Sequence, residues 1–184
     1  MKTMWANTLA WLGAVAVALS LAFAAPNETA VMGKLPPLTG KRLDQQTVDL
    51  PAGLTAERTL ALIGFSSRHR PDIESWIAGL DLYRDRSIPW VRMPLLNDPG
   101  DAPRRQALEE HLKTRYADER EPGRVLAVVT REREAVVRAA GLSGTDEMVA
   151  LVVNREGEVL ARVVGPFDAE KAQALRETLQ GGAL

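Results

Sequence analysis

The chain contains no cysteine among its 184 residues. Without a thiol, it can form no disulfide, cysteine nucleophile, iron–sulfur cluster or lipid-modified N-terminal cysteine. Histidine is also scarce, and the two copies, His69 and His111, are too few for a conventional histidine-rich metal site. These absences exclude a thiol–disulfide oxidoreductase and a thiol peroxidase. They also lead us to expect no bound metal and no cofactor.

A large charge of one sign is missing as well. The chain has 23 Lys and Arg against 24 Asp and Glu, for a net charge of −1. Nucleic-acid-binding domains usually carry a basic excess, so we expect no nucleic-acid partner. At 46% hydrophobic residues, the composition predicts a folded core rather than disorder. The length fits one domain with an appendage.

The N-terminus is typical of a targeting segment. Lys2 is the only charge before an apolar run over residues 9–25, and Ala22-Phe23-Ala24 places small residues at the positions that signal peptidase requires. We therefore predict a signal peptide over residues 1–24 and an exported, periplasmic protein. The alternative is an uncleaved anchor in the inner membrane, because residues 4–25 are long enough to span a bilayer. Only these residues would then contact the membrane.

The rest of the chain predicts a linker followed by alternating strands and helices. Pro26, Pro36 and Pro37 favour an extended linker over residues 25–42, followed by a short edge hairpin over residues 43–50. Strands are predicted at residues 59–65, 90–95, 124–130, 148–154 and 159–165. Helices are predicted at residues 71–84, 103–116, 131–140 and from Asp168 to Gly181. Pro94 predicts that its strand is irregular or near an edge. The order indicates one α/β domain over residues 43–181, with a mixed central sheet and helices on both faces.

Several of these segments resemble the thioredoxin-like superfamily, in the variant shared by TlpA-type and peroxiredoxin-like proteins. The resemblance lies in a strand ending at Phe65, a short loop opening a helix, the stretch RVLAVVTREREAVVRAAGL and the terminal hairpin MVALVVNREGEVLARVVG. It covers residues 35–180. It implies a single-domain thioredoxin-like fold.

A narrower resemblance joins LIGFSSRHRPDIESW to the following strand WVRMPLL. Together these segments resemble the bacterial relatives of a mitochondrial ATP-synthase assembly factor. In the mitochondrial family, the implied role is chaperone-like help in assembling the membrane sector of the ATP synthase. The resemblance therefore implies a protein partner and points to a membrane complex.

The sequence departs from the superfamily at both halves of its redox site. Arg70-Pro71-Asp72-Ile73 stands where the resemblance places the C-x-x-C motif, and residues 144–148 (GTDEM) lack the proline expected before the last hairpin. An arginine and an isoleucine cannot exchange disulfides. The combined loss predicts a redox-inactive protein that acts by binding another protein, as an assembly or chaperone-like factor. The sequence indicates neither the identity of that partner nor an oligomeric state.

The loop at the lost motif is the candidate binding site. A helix N-terminus favours anions, and three basic side chains adjoin it, so the loop could hold a small anion, a carboxylate or a protein C-terminus. The candidate residues are Ser66, Ser67, Arg68, His69 and Arg70. The alternative is a solvated loop whose arginines pair with Asp72 and Glu74. A third hypothesis is an enzyme with non-thiol chemistry around this loop, although no catalytic residue is assigned.

Overall fold

The computed structural model describes residues 31–181. The predicted signal peptide, or anchor, lies outside these residues. Within them, no helix combines the length and the apolar character needed to cross a membrane.

One seven-stranded sheet organises the domain. Strands β1 to β7 are Leu38–Arg42, Thr47–Leu50, Arg58–Gly64, Trp90–Asn97, Leu126–Thr130, Val149–Asn154 and Val159–Val164. Helices α1 to α4 are Arg70–Gly79, Ala102–Arg115, Arg133–Ala139 and Ala169–Leu179. The spatial order is β2-β1-β5-β4-β3-β6-β7. Strands β3, β4 and β5 pair in parallel and the others antiparallel, so the predicted mixed α/β sheet is confirmed.

Helices cover both faces of the sheet because alternate residues of the buried strands are apolar on both sides. Leu62 of β3 packs in a cluster with Trp76 of α1 and Leu175 of α4. The next residue, Ile63, packs in a separate cluster with Val137 of α3. Successive side chains of a strand point to opposite faces, so α1 and α4 cover one face and α3 the other. The prediction of helices on both faces is confirmed.

The predicted linker is wrong for its last residues. Residues 38–42 form β1, which pairs with β2 and, through Gly40 opposite Val128, with β5. Leu35 is buried, and its N–H donates to the carbonyl of Gly157 at 2.7 Å. Pro36 and Pro37 precede the β1 ladder, so their missing N–H groups interrupt no strand pairing. The domain therefore begins before residue 43, and the predicted hairpin at 43–50 is the second half of an edge hairpin over 38–50.

Strand β4 lies in the middle of the sheet, so the prediction of an edge position for it is wrong. Its ladder with β3 ends at Pro94, opposite Gly64, and its main ladder with β5 begins at Leu95, opposite Val128. Proline lacks one N–H, and here it sits where one ladder ends and the other begins. A central strand can therefore contain it.

Helix α1 ends five residues before the predicted position. Asp81 has a φ of 50°, in the left-handed region, and its N–H donates to the carbonyl of Ala78. The N–H of Leu82 donates back to Ile77. This is a Schellman motif, which satisfies the last carbonyls of the helix and turns the chain away. Leu80, seven residues after Ile73, is buried and continues the helical spacing of apolar residues one position beyond the helix. Leu82, after the turn, is buried as well.

Asp98 joins the two loops at the carboxyl ends of β4 and β5. Its carboxylate accepts from Arg105 at 2.7 and 2.9 Å, from the Gly100 N–H at 2.9 Å and from Arg131 at 3.2 Å. The hydrogen bonds from Arg105, followed by that from Gly100, hold the pKa of Asp98 well below its usual range. The ionised carboxylate is therefore the form that the fold stabilises.

We expect Asp98→Asn to lower the unfolding temperature at pH 7 by a few degrees. Because the pKa of Asp98 is depressed in the fold, its contribution is present above the usual aspartate pKa. It is lost as pH falls towards the folded value. The difference between wild type and variant should therefore shrink steadily from pH 5 to pH 2 in thermal melts. Asp118→Asn, at an exposed carboxylate, is the control and should give no such trend. A constant difference across this range would contradict the prediction.

Candidate functional site

The candidate loop follows the carboxyl end of β3. Ser66 is extended, residues Ser67–His69 form a single 3-10 turn, and α1 begins at Arg70. Ser66, Ser67, Arg68 and Arg70 are exposed, whereas His69 is only 3% exposed. The loop therefore divides into a solvent-facing part and one buried side chain.

Both ring nitrogens of His69 are used by backbone groups. The Phe65 N–H donates to Nδ1 at 3.1 Å, and Nε2 lies 3.0 Å from the carbonyl oxygen of Asp146. Since Nδ1 accepts, the ring proton is on Nε2, which donates to Asp146. With both ring nitrogens engaged, His69 has no free nitrogen that could accept a proton from Ser66 or Ser67 or contact a ligand. This geometry favours a structural role for His69 and gives no support to the enzyme hypothesis, while the binding role of the loop stays a prediction.

His69 also connects the two segments at which the sequence lacks the redox motifs. Its own segment precedes Arg70, and Asp146 lies within residues 144–148, where no proline occurs. The imidazole thus ties the start of α1 to the loop before β6. Because the His69 side chain connects the start of α1 with residues 144–148, its role at the site is structural.

The N-terminus of α1 offers few free N–H groups. The Arg70 N–H donates to Ser67, the His69 N–H donates to Ser66, and Pro71 has no N–H. The 3-10 turn thus satisfies donors that a helix N-terminus usually presents to an anion. Positive charge at this site comes from guanidinium groups instead.

Arg70 and Arg115 cross between the loop and the end of α2. Arg70 donates to the backbone carbonyl of Arg115 at 3.2 Å, and Arg115 donates to that of Ser67 at 3.1 Å. Arg70 also lies 3.8 Å from Glu74. The predicted pairing of the loop arginines with nearby carboxylates therefore holds for Arg70 and Glu74, but the closer contact of Arg70 is to α2.

A buried arginine lies beneath this pair. Arg92 of β4 is 1% exposed and donates to Glu74 at 2.7 Å. It also lies 3.2 Å from Glu119, whose side chain is 4% exposed. Its guanidinium group is 5.6 Å from the ring centre of Tyr116. We did not predict Arg92 as a site residue, although an arginine within the otherwise apolar segment WVRMPLL was the available signal.

Tyr83 completes this ionic cluster. Its hydroxyl donates to Glu119 at 2.5 Å. Burial, and then the hydrogen bond to the Glu119 carboxylate, raise the pKa of Tyr83 well above its usual value. Burial raises the pKa of Tyr116 as well. Both phenols therefore stay protonated at neutral pH, and Tyr83 acts as a donor to the buried carboxylate.

A cavity of about 250 Å³ opens between α1 and α2, above β4. Among the residues that the structure describes, the lining includes no carboxylate, and its polar side chains are those of Ser66, Ser67, Arg70, Arg92, His111, Arg115 and Tyr116. The remaining walls are largely apolar and include Ile73, Leu96, Leu108 and Leu112. We call this cavity the arginine cleft. Ser66, Ser67 and Arg70 are the predicted site residues that it brings together, while Arg68 and His69 are not in its lining.

No protein-family profile matches this chain, and no curated protein matches it in sequence. Solved structures do match it. BsSco, a member of the Sco family of cytochrome c oxidase assembly proteins, superposes with a TM-score of 0.57 at 15% identity over 81% of this chain and 92% of that one. Yeast Sco1 gives 0.56 at 14% identity over 83% and 97%. A thiol:disulfide interchange protein from Bacteroides sp. gives 0.54 at 16% identity over 82% and 90%.

The fold is thioredoxin-like. The structural superpositions, with TM-scores of 0.54–0.57 at 14–16% sequence identity, show the fold alone. The loop at which the resemblance places the C-x-x-C motif is followed by α1, and the first residue of this helix is Arg70. Within residues 31–181, no three histidine, aspartate or glutamate side chains are grouped so that they could hold a metal ion. The described chemistry of the site is that of guanidinium groups, hydroxyls and apolar walls.

Proposed function

We propose that the chain is an exported, redox-inactive thioredoxin-fold protein that binds a protein partner and supports the assembly of a membrane complex. One observation carries this proposal. The loop at which the sequence lacks its thiols is joined through Arg70 and Arg115 to an accessible, largely apolar cleft. With no cysteine in the chain, this arrangement is suited to binding rather than thiol chemistry.

Two further points support the proposal. Structural neighbours with this fold include proteins described as cytochrome c oxidase assembly proteins, so the fold is compatible with an assembly role. The apolar run and the small residues before residue 25 favour export, with a retained anchor at residues 4–25 as the alternative. The sequence resemblance to the ATP-synthase assembly factor family makes the membrane sector of that enzyme the first target to test.

The experiment is site-specific photocrosslinking in cells that produce the full chain. A crosslinking residue at Ser67 reports on the mouth of the cleft, and one at Arg138 of α3, also exposed, reports on the opposite face of the sheet. We expect the Ser67 probe to capture subunits of one membrane complex and the Arg138 probe not to. ATP-synthase subunits in the adducts would support the narrower target.

The proposal fails if an abundant, folded protein gives no specific adduct from either position. Cleavage after residue 24 can be read from the N-terminal sequence of the same material. A mature protein that begins at Ala25 is expected, and retention of residues 1–24 would favour the membrane anchor.

A small-anion-binding module is the second candidate, since the cleft contains three arginines and no lining carboxylate. Arg70→Ala/Arg115→Ala would abolish binding of inorganic phosphate under this hypothesis, because both guanidinium groups line the cleft. A titration with inorganic phosphate, followed through the amide chemical shifts of the protein, measures this binding. Phosphate-induced shifts confined to the loop and lost in the variant would favour the module.

A further inference from the structure

The shape of the arginine cleft restricts what it can hold. Its volume of about 250 Å³ is just below the range usual for drug-sized ligands, about 300–1,000 Å³. Leucine and isoleucine side chains form walls beside the arginine groups. A single apolar side chain attached to a polar terminal group fits this combination better than an extended polar ligand.

The charge of the cleft indicates a ligand with a single negative charge. Arg70, Arg92 and Arg115 line it, and Glu74 and Glu119 are the carboxylates in contact with Arg70 and Arg92 from outside the lining. Together these five groups carry one positive charge in excess. A carboxylate balances this excess, whereas a phosphate dianion exceeds it.

Hydrogen bonds already orient the guanidinium groups of Arg70 and Arg115 at the mouth of the cleft. Each donates one N–H to a backbone carbonyl across the mouth, which orients the group and leaves further N–H donors on it. Planar guanidinium groups bind carboxylates through paired hydrogen bonds. The hydroxyls of Ser66 and Ser67 line the same mouth.

Arg92 adds a second observation about the cleft. Its side chain lines the cleft, and its Nε is buried and has no hydrogen-bond partner among the described residues. A buried N–H without an acceptor is costly. A carboxylate bound in the cleft would place negative charge beside this incompletely paired guanidinium group.

We propose that the arginine cleft binds the free C-terminal carboxylate of a partner polypeptide whose last residue is apolar and about the size of leucine. The carboxylate lies between Arg70 and Arg115, and the terminal side chain packs on Leu108 and Leu112. This inference rests on the proposed function in taking the partner to be a protein. It adds the chemical group that is recognised and the residues that recognise it.

Binding of labelled peptides to the full-length protein in mild detergent tests the inference. The probe is a fluorescein-labelled heptapeptide ending in Ala-Leu with a free carboxylate, followed by fluorescence anisotropy. We expect the C-terminal amide of this peptide to bind at least tenfold more weakly, since a charge-assisted pair is lost. The same peptide ending in Ala-Lys should also bind about tenfold more weakly, because the apolar walls lose their partner.

Matched arginine variants test whether Arg115 recognises the carboxylate of the peptide. Arg115 and Arg138 both lie in the last turn of a helix, so Arg115→Gln and Arg138→Gln change the helix dipole similarly. Arg115→Gln should weaken binding of the free acid about tenfold and leave binding of the amide nearly unchanged. Arg138→Gln should bind both peptides as wild type does. Intrinsic tryptophan fluorescence confirms that both variants are folded.

Equal affinity for acid and amide overturns the inference, as does an Arg115→Gln variant that binds like wild type. Displacement of the peptide by acetate or inorganic phosphate at equal concentration would assign the cleft to small anions instead. The crosslinking experiment separates this inference from the proposed function. Partner adducts at Ser67 without acid-over-amide preference would leave the assembly role standing and remove only the carboxylate site. Preference for the acid without partner adducts at Ser67 would support the carboxylate site and count against the assembly role.

Discussion

Arg92→Met is expected to lower the free energy of unfolding by about 3–5 kcal/mol, the cost typical of removing one partner of a buried ion pair. Arg92 is 1% exposed and Glu119 is 4% exposed. The substitution leaves Glu119 buried without its cation, with only the Tyr83 hydroxyl as its side-chain donor among the described contacts. Urea denaturation followed by tryptophan fluorescence measures the loss, because Trp76 and Trp90 are both buried in the core.

A double-mutant cycle shows whether this cost comes from the unpaired charge. Glu119→Leu alone should also destabilise the protein, because it leaves Arg92 with Glu74 as its remaining carboxylate partner. Arg92→Met/Glu119→Leu removes both charges and should be more stable than Arg92→Met alone, since buried pairs can often be replaced by apolar residues. Losses that simply add would show that the two groups do not interact energetically.

His69→Ala should cost about 3 kcal/mol, because a buried backbone N–H and a partly buried backbone carbonyl lose their partner, and such a loss costs roughly 1–3 kcal/mol for a buried group. The groups are the N–H of Phe65 and the carbonyl of Asp146. His111→Ala is the matched control in the same chain, since His111 is exposed. Its effect should stay within about 0.5 kcal/mol, as for most surface substitutions.

The tautomer of His69 provides a measurement that does not depend on stability. With only two histidines in the chain, ¹⁵N spectra of the imidazole rings contain two ring systems. We expect the ring that disappears in His69→Ala to carry its proton on Nε2 at neutral pH. A proton on Nδ1, or equal stability of the two alanine variants, would contradict the structural role of His69.

The local patterns in the sequence were sufficient to predict most of the elements and the fold class. The apolar segment around Leu60–Ile63 predicted a strand buried on both faces, and all four of its residues are at most 2% exposed. Asp168, the first residue of the predicted C-terminal helix, caps α4 by accepting from the Lys171 N–H at 2.9 Å. Gly141 and Gly181 end α3 and α4 with positive φ. Each of these features depends on a few adjacent residues.

The position of each strand within the sheet was not predictable in the same way. Pro94 indicated a strand that is irregular or near an edge, yet β4 is central and contains the proline where its ladder with β3 ends and its ladder with β5 begins. Similarly, the prolines near Leu35 indicated a linker, yet this segment packs on the domain. Such outcomes depend on which distant segments pair, and a local pattern contains no information about the partner.

The same distinction between local pattern and tertiary contact applies to the candidate site. By itself, the sequence determined that no thiol chemistry is possible and that Ser66–Arg70 is a basic loop opening a helix. The tertiary structure alone decided that His69 turns inward to two backbone groups, while Arg115 and Arg92 come from α2 and β4 to join Arg70. The physical reason is that side-chain type is a local property. Burial and hydrogen-bond partners, by contrast, are set by residues that are distant in the chain, 77 positions apart in the case of His69 and Asp146.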